Sequence, residues 1–274
     1  MSAGTFAAGS GGLRQAITDG WLVAWRNLKR VPRIPEMAIF MIMQSIMFVL
    51  LFAFVFGGAI PLPGGGSYRE FLLPGIYAQT IVFASSITAV GMVDDVSKGI
   101  IDRFRSLPMA RSAVLSGRAM FDLVYQLGIL VVLMVSGYAV DWRWHEGFWN
   151  LLAGIGILLL FVFAMSWVGI YIGLSLRTVE SAQQVGFMVI FPLTFVSNAF
   201  VPMSTLPSWL RPVAEWNPVS TLTSSIRELW GNPNPYATDN FPSEHPIVMT
   251  LIWVVIIIAV FAPLGVRKYR NISR

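Results

Sequence analysis

The chain has 274 residues, 55% of them hydrophobic and 12% charged, with a mean hydropathy of +0.67. A soluble domain carries about 25% charged residues and needs a polar surface, so the composition excludes one and points to a polytopic membrane protein. In such a chain the net charge of +5 reads as basic loops held on the cytoplasmic side, not as a nucleic-acid surface.

Residues 1–12 (MSAGTFAAGSGG) are small and predict a flexible start. Residues 13–31 predict an amphipathic helix. Leu13, Ile17, Trp21, Ala24, Leu28 and Val31 share one helical face, and Arg14, Arg26, Lys29 and Arg30 lie largely off it. Trp21 and Trp25 suit a membrane interface, and Pro32 and Pro35 break the helix before the first apolar run. Two compatible readings follow: an elbow helix on the inner leaflet, or a plain lipid anchor and topology signal.

A membrane span needs about 20 mostly apolar residues. Six runs qualify: 37–59, 71–93, 119–140, 150–176, 182–201 and 246–266. Backbone groups in lipid must bond internally, so the runs predict helices. They are too long and too continuously apolar for the alternating strands of an outer-membrane barrel.

Between the second and third runs lies a polar island, residues 94–118 (DDVSKGIIDRFRSLPMARSAVLSGR), with five Lys/Arg and three Asp. Within it, Lys98 and Gly99 precede a short amphipathic stretch. Ile100, Ile101, Phe104 and Leu107 fall on one face, Asp102, Arg103 and Arg105 project elsewhere, and Pro108 ends it. The stretch reads either as a helix whose apolar side seats in a partner groove or as a solvated loop whose charges only fix topology. Composition leaves both open.

Asp122 sits about one turn inside the third run, with Arg118 four residues earlier on the same face. A local ion pair at the membrane edge is the expectation; a proton or substrate site is the alternative. Uncharged polar residues inside the runs mark helix interfaces or cavities. Tyr77, Gln79 and Phe83 in the second run, with Phe195 and Asn198 in the fifth, are the candidates to line a substrate path; helix packing is the competing reading of each. After the fifth run, residues 199–231 form neither a clean span nor a clean loop. Pro202, Pro207, Pro212 and Pro218 interrupt them, and Trp209 and Trp216 suit an interface.

Orientation follows from the basic residues. Fifteen Lys/Arg fall on the side that holds both termini, and four (Arg69, Arg143, Arg211 and Arg227) fall on the other. Both termini are therefore expected in the cytoplasm. The organisation is one membrane domain: a cytoplasmic segment 1–36, six spans over 37–266 and a tail 267–274. With no cysteine, disulfides, thiolate metal sites and cysteine nucleophiles are excluded. His145 and His245 are far apart and make no metal-ligand set. No GxxxxGK[ST] phosphate loop is present. No catalytic residue and no cofactor of the chain's own is expected.

The run Gly99-Ile-Ile-Asp-Arg-Phe-Arg-Ser-Leu-Pro-Met-Ala-Arg111, followed by Ser116-Gly-Arg118, resembles the permeases of ABC-2 type transporters. The daunorubicin-resistance (DrrB-like) branch is the most similar. Ser197-Asn-Ala-Phe-Val-Pro-Met203, Leu206-Pro-Ser-Trp-Leu210 and Asn217-Pro-Val219 also resemble that family's segment between spans five and six. The resemblance covers residues 19 to 270. It implies that Lys98, Gly99, Ile100, Ile101, Asp102, Arg103, Phe104, Arg105, Leu107 and Pro108 form a coupling helix docked on a separate ABC ATPase. It implies two ATPase copies that bind the ATP and Mg, and a second permease, identical or related. It also implies a re-entrant extracellular hairpin between spans five and six. The expected function is ATP-driven export across the cytoplasmic (inner) membrane. An apolar path with a few uncharged polar groups suits an amphipathic drug or lipid. The alternatives are a structural or regulatory membrane subunit without a conduction path, and a secondary transporter, for which Asp122 is the sole coupling-ion candidate.

Overall fold

The computed structural model describes residues 35–56, 67–100, 111–235 and 240–271. Among them every regular element is helical. Helix α1 (Pro35–Leu51) continues into a π-helical turn, Phe52–Phe56. Then come α2 (Tyr68–Ser97), α3 (Arg111–Ala139), α4 (Phe148–Ser175) and α5 (Val179–Phe195). A 3-10 turn (Met203–Thr205) leads to the short α6 (Arg211–Glu215), to α7 (Pro218–Trp230), to one turn of α8 (Phe241–Glu244) and to α9 (Pro246–Asn271). Helices α2, α3, α4 and α9 are each long and apolar enough to cross a membrane. They correspond to the second, third, fourth and sixth apolar runs. Helices α1 and α5 have 17 residues each. The amphipathic segment 13–31 and residues 101–108 of the expected coupling helix lie outside the described residues.

Three helices extend beyond their apolar runs: α2 reaches Ser97, α3 starts at Arg111 and α9 runs to Asn271. Hydropathy marks only the lipid-facing length, whereas hydrogen bonding carries a helix on through polar turns. The fifth run behaves differently. Helix α5 stops at Phe195, and residues 196–201, apolar enough to look like a continuation, are turned backbone.

Helix α2 is the centre of the bundle. Two-thirds of its span is buried, 67%, against 22% for α9. It packs most extensively on α4 and then on α5, with α7 and α3 closing further sides. Small residues permit this: Ser85 and Ala89 of α2 face Gly169 and Gly173 of α4. In lipid, where burying apolar surface drives nothing, close backbone packing of this kind holds helices together. The large exposed apolar side chains, such as Met43, Val135 and Val255, point outward from the bundle.

The two ends of the bundle differ. At one end Met92, Leu115, Trp167, Ile170, Leu174 and Tyr269 pack together; Lys98 caps α2, Arg118 lies in the first turns of α3, and Lys268 and Arg270 lie in the last turn of α9. We call this the basic end. At the opposite end the chain between α5 and α9 folds inward as an arm, with α7 against α2, α4 and α9.

Candidate functional site

The arm at the far end is built by side chains that collect stray backbone groups. Asn217 caps the start of α7, its Oδ1 accepting from Val219 N at 2.8 Å, and Pro218 occupies the first helical position, where no N–H is needed. The Asn217 amide also donates to the carbonyls of Leu193 (2.7 Å) and Val196 (2.6 Å). Those are among the carbonyls a helix C-terminus leaves without partners. One asparagine thus starts α7 and ends α5, which is why the fifth apolar run does not continue. Asn217→Ala is expected to lower stability by about 1–2 kcal/mol, the cost of losing a cap and leaving two part-buried carbonyls without that donor. A thermal unfolding midpoint measured in detergent checks it, and a midpoint equal to the parent's would refute the double cap.

Helix α7 is buried nearly all round although Ser220, Thr221, Thr223, Ser224, Ser225 and Arg227 lie on it. The hydroxyls of Thr221, Thr223 and Ser225 bond back to carbonyls three or four residues earlier, and Ser225 also meets Thr250 of α9 at 2.9 Å. Ser220 and Ser224 accept from the backbone N–H (3.1 Å) and the side-chain amide (2.7 Å) of Asn198. Arg227, counted from sequence among the external loop cations, is 0% exposed. Its guanidinium donates to the carbonyls of Phe71 (2.9 and 2.7 Å), Asn198 (3.0 Å) and Ala199 (3.3 Å) and lies 3.6 Å over the Phe71 ring. A planar fork with several donors reaches α2 and the 198–199 turn at once, as a lysine could not. Average burial statistics argue against an interior arginine, so sequence reasoning missed it. The available signal was an Asn-Pro helix start followed by a lone arginine among small hydroxyl residues.

Two groups of aromatic residues lie beside the arm. Tyr77, Trp142 and Trp230 meet edge to face with centroids 5.3 to 5.8 Å apart. Each polar atom is satisfied: Tyr77 OH by Leu133 O, Trp142 Nε1 by Asn232 Oδ1 and Trp230 Nε1 by Leu151 O. The second group is a row of phenylalanines. Phe187, Phe191 and Phe195 stack along α5 at 4.9 and 4.2 Å, and Phe200, Phe52 and Phe48 carry the row across to α1 at 5.4, 4.9 and 5.0 Å.

The five path candidates therefore separate. Tyr77 is fully buried in the aromatic trio and Gln79 is buried on α2. Phe83 is half-buried against the main core. Asn198 is 4% exposed within the arm, and Phe195 is 45% exposed in the phenylalanine row. The structure brings Asn198 and Phe195 to the arm but sets Tyr77 in a different cluster.

At the basic end, α2 closes with Lys98 N and Gly99 N bonded to Asp94 O and Val96 O, both at 3.0 Å. Gly99 has φ +64°, a left-handed cap that glycine adopts without strain. Lys98 Nζ sits 2.7 Å from Asp94 Oδ2. Of the expected coupling residues, Lys98, Gly99 and Ile100 are described, and they leave the bundle directly from the end of its central helix. The expected Arg118–Asp122 pair is present, Nε to Oδ1 3.4 Å, but it is not confined to one helix. Thr88 of α2 donates to Asp122 Oδ2 at 2.7 Å, and Asp122 is 5% exposed.

The described residues thus give one buried central helix, an ion-paired basic end and an arm hydrogen-bonded across the other end. A family model described as ABC-2 type transporter matches residues 18–229. The chain is 30% identical over 247 residues (90% of this chain, 84% of the relative) to the daunorubicin resistance ABC transporter permease protein DrrB1 of Streptomyces coeruleorubidus. It is 25% identical over 220 residues (79% and 75%) to the putative transport permease ycf38 of Cyanophora paradoxa. It is 22% identical over 231 residues (83% and 80%) to the probable doxorubicin resistance ABC transporter permease protein DrrC of Mycobacterium tuberculosis. The chain belongs to the ABC-2 type transporter family, as a membrane permease.

Proposed function

We propose that this chain is the permease subunit of an ATP-driven exporter that moves an amphipathic drug or lipid out across the cytoplasmic membrane. The observation that carries the reading is the family match over residues 18–229, which includes the whole polar island. The drug-resistance permeases among the relatives support the substrate class, and so do the exposed rings of Phe187, Phe191 and Phe195 on α5, which suit a flat apolar ring system. In this reading α1 with its π turn and α5 complete six spans, residues 13–31 form the elbow on the inner leaflet, and the arm between α5 and α9 is the re-entrant outer hairpin. The basic end and both termini face the cytoplasm. Segment 1–36 is the cytoplasmic lead-in, 37–266 the six-span permease and 267–274 the tail.

The coupling segment is Lys98 to Pro108, with Lys98 and Gly99 as the cap of α2 from which the coupling helix leaves. Two copies of a separate ABC ATPase dock there and bind the ATP and Mg, and a second permease copy or a related permease completes the assembly. ATP-driven closure of the motor moves the two coupling helices and biases the permease between its two states. Phe195, which is exposed, is the first choice to meet substrate; Asn198, Tyr77, Gln79 and Phe83 are the remaining path candidates. A secondary transporter would need a free coupling-ion group in the core, whereas Asp122 is engaged by Arg118 and Thr88.

The test is co-purification with an ATPase partner. Replacing both Phe104 and Leu107 by Asp is expected to cut the recovered ATPase more than about tenfold, the scale of losing interface anchors, with permease insertion unchanged. Normal assembly and export in that double variant would remove the coupling role.

A further inference from the structure

The segment between Ser97 and Arg111 is held by two helices, α2 going in and α3 coming out. One side chain bridges their ends. Arg118 of α3 points across to α2, where its Nη2 donates to the Ile87 carbonyl at 3.4 Å and its Nη1 lies 4.0 Å from Asp95 Oδ2. Its Nε is 3.4 Å from Asp122 Oδ1, and Asp122 is tied to α2 a second time through Thr88. The guanidinium fills the notch left by Gly91 of α2: a Cβ there would lie 2.7 Å from Arg118 Cζ.

An arginine kept only to mark the cytoplasmic side would extend to the headgroups. Arg118 turns inward instead, with its side chain 11% exposed. A buried ion set costs desolvation, and apolar side chains of the same volume would hold two helices together at least as well. Its particular capacity is to fix register, because the charges are satisfied in one alignment of the helices and unpaired in others. The neighbouring contacts of Met92 and Leu115 are apolar and carry no charge that would have to find a partner.

We propose that Arg118 is a positioning residue that locks the register of α2 against α3 at the root of the coupling segment, so that a push on that segment displaces both helices as one body. The proposal rests on the reading of residues 98–108 as the motor contact. Its structural half stands without a motor.

The experiment uses three variants. Arg118→Gln removes the charge. Gly91→Ala keeps every charge and displaces the guanidinium. Arg118→Lys keeps the charge and loses the fork. The chain has no native cysteine, so spin labels on cysteines placed at Ser97 and Met120 report the α2–α3 distance in lipid nanodiscs without any ATPase. A single narrow distance is expected in the parent, a broadened or shifted distribution in Arg118→Gln and Gly91→Ala, and an intermediate one in Arg118→Lys. In the reconstituted complex, the first two variants are expected to bind the motor and hydrolyse ATP while transporting about tenfold less substrate per ATP, the scale of a typical coupling between sites. Unchanged distances in Arg118→Gln and Gly91→Ala would overturn the register lock. Parent-like transport per ATP with altered distances would overturn its role in coupling. A parent permease that binds no ATPase would instead remove the exporter reading, and the distance measurement would still decide the lock.

Discussion

Arg227→Leu is expected to unlatch the outer arm and to lower stability by about 3 kcal/mol or more, placing it among the severe single substitutions. The guanidinium is completely buried and serves three carbonyls. Two effects oppose each other on its removal. The leucine no longer has a charge to desolvate, which is a gain. Against that, each buried carbonyl left without a donor costs about 1–3 kcal/mol. The Phe71 carbonyl is in a helix and keeps access to a ladder donor. Those of Asn198 and Ala199 lie in turned backbone with no ladder to return to, so the loss exceeds the gain. Arg227→Lys keeps the charge but has a single ammonium point in place of the fork, so it recovers only part of the stability. Thermal unfolding in detergent gives the ranking parent, lysine, leucine, and limited proteolysis between residues 196 and 217 gives the location. Equal midpoints for all three proteins would mean that lipid or water satisfies the carbonyls and that the arm has no arginine latch.

This latch also shows where sequence reading stops. The long helices were legible because lipid imposes a length and an apolar composition that survive any arrangement of neighbours, and α2, α3, α4 and α9 appear where the runs lie. Their ends were less legible. Asp94, Asp95 and Lys98 look like loop and are the last turn and cap of α2, because polar residues extend a helix as readily as they leave it. The end of α5 was illegible for a different reason: the group that stops it, Asn217, is 21 residues from the Val196 carbonyl it caps, and no local pattern carries that information. Burial of Arg227 had to be inferred against the average behaviour of arginine. Arg118 and Asp122 were read as a pair from their spacing of four, correctly as far as one helix goes. The partners on α2, Asp95 and Thr88, required the packing of two helices. Local periodicity finds elements, and the polar contacts that give this site its shape are long-range.

Two alanine substitutions within the single helix α4 are expected to act with opposite sign. At Gly156 an added Cβ would meet nothing within 4 Å. Gly156→Ala should therefore be neutral or stabilise by up to about 1 kcal/mol, through the reduced backbone freedom of the unfolded chain. At Gly173 the same Cβ would stand 2.5 Å from the Ala89 carbonyl oxygen and 2.6 Å from Met92 Cβ of α2. Neither neighbour can rotate aside, since one is backbone and the other is the root of a side chain. The helices must separate, and overpacking of this kind costs about 1–3 kcal/mol. A larger residue such as leucine at Gly173 should prevent the α2–α4 seam from closing at all. The expected result is a lower unfolding midpoint for Gly173→Ala, a parent-like or higher one for Gly156→Ala, and little folded protein for Gly173→Leu. Matching midpoints for the two alanine variants would show that the seam has slack.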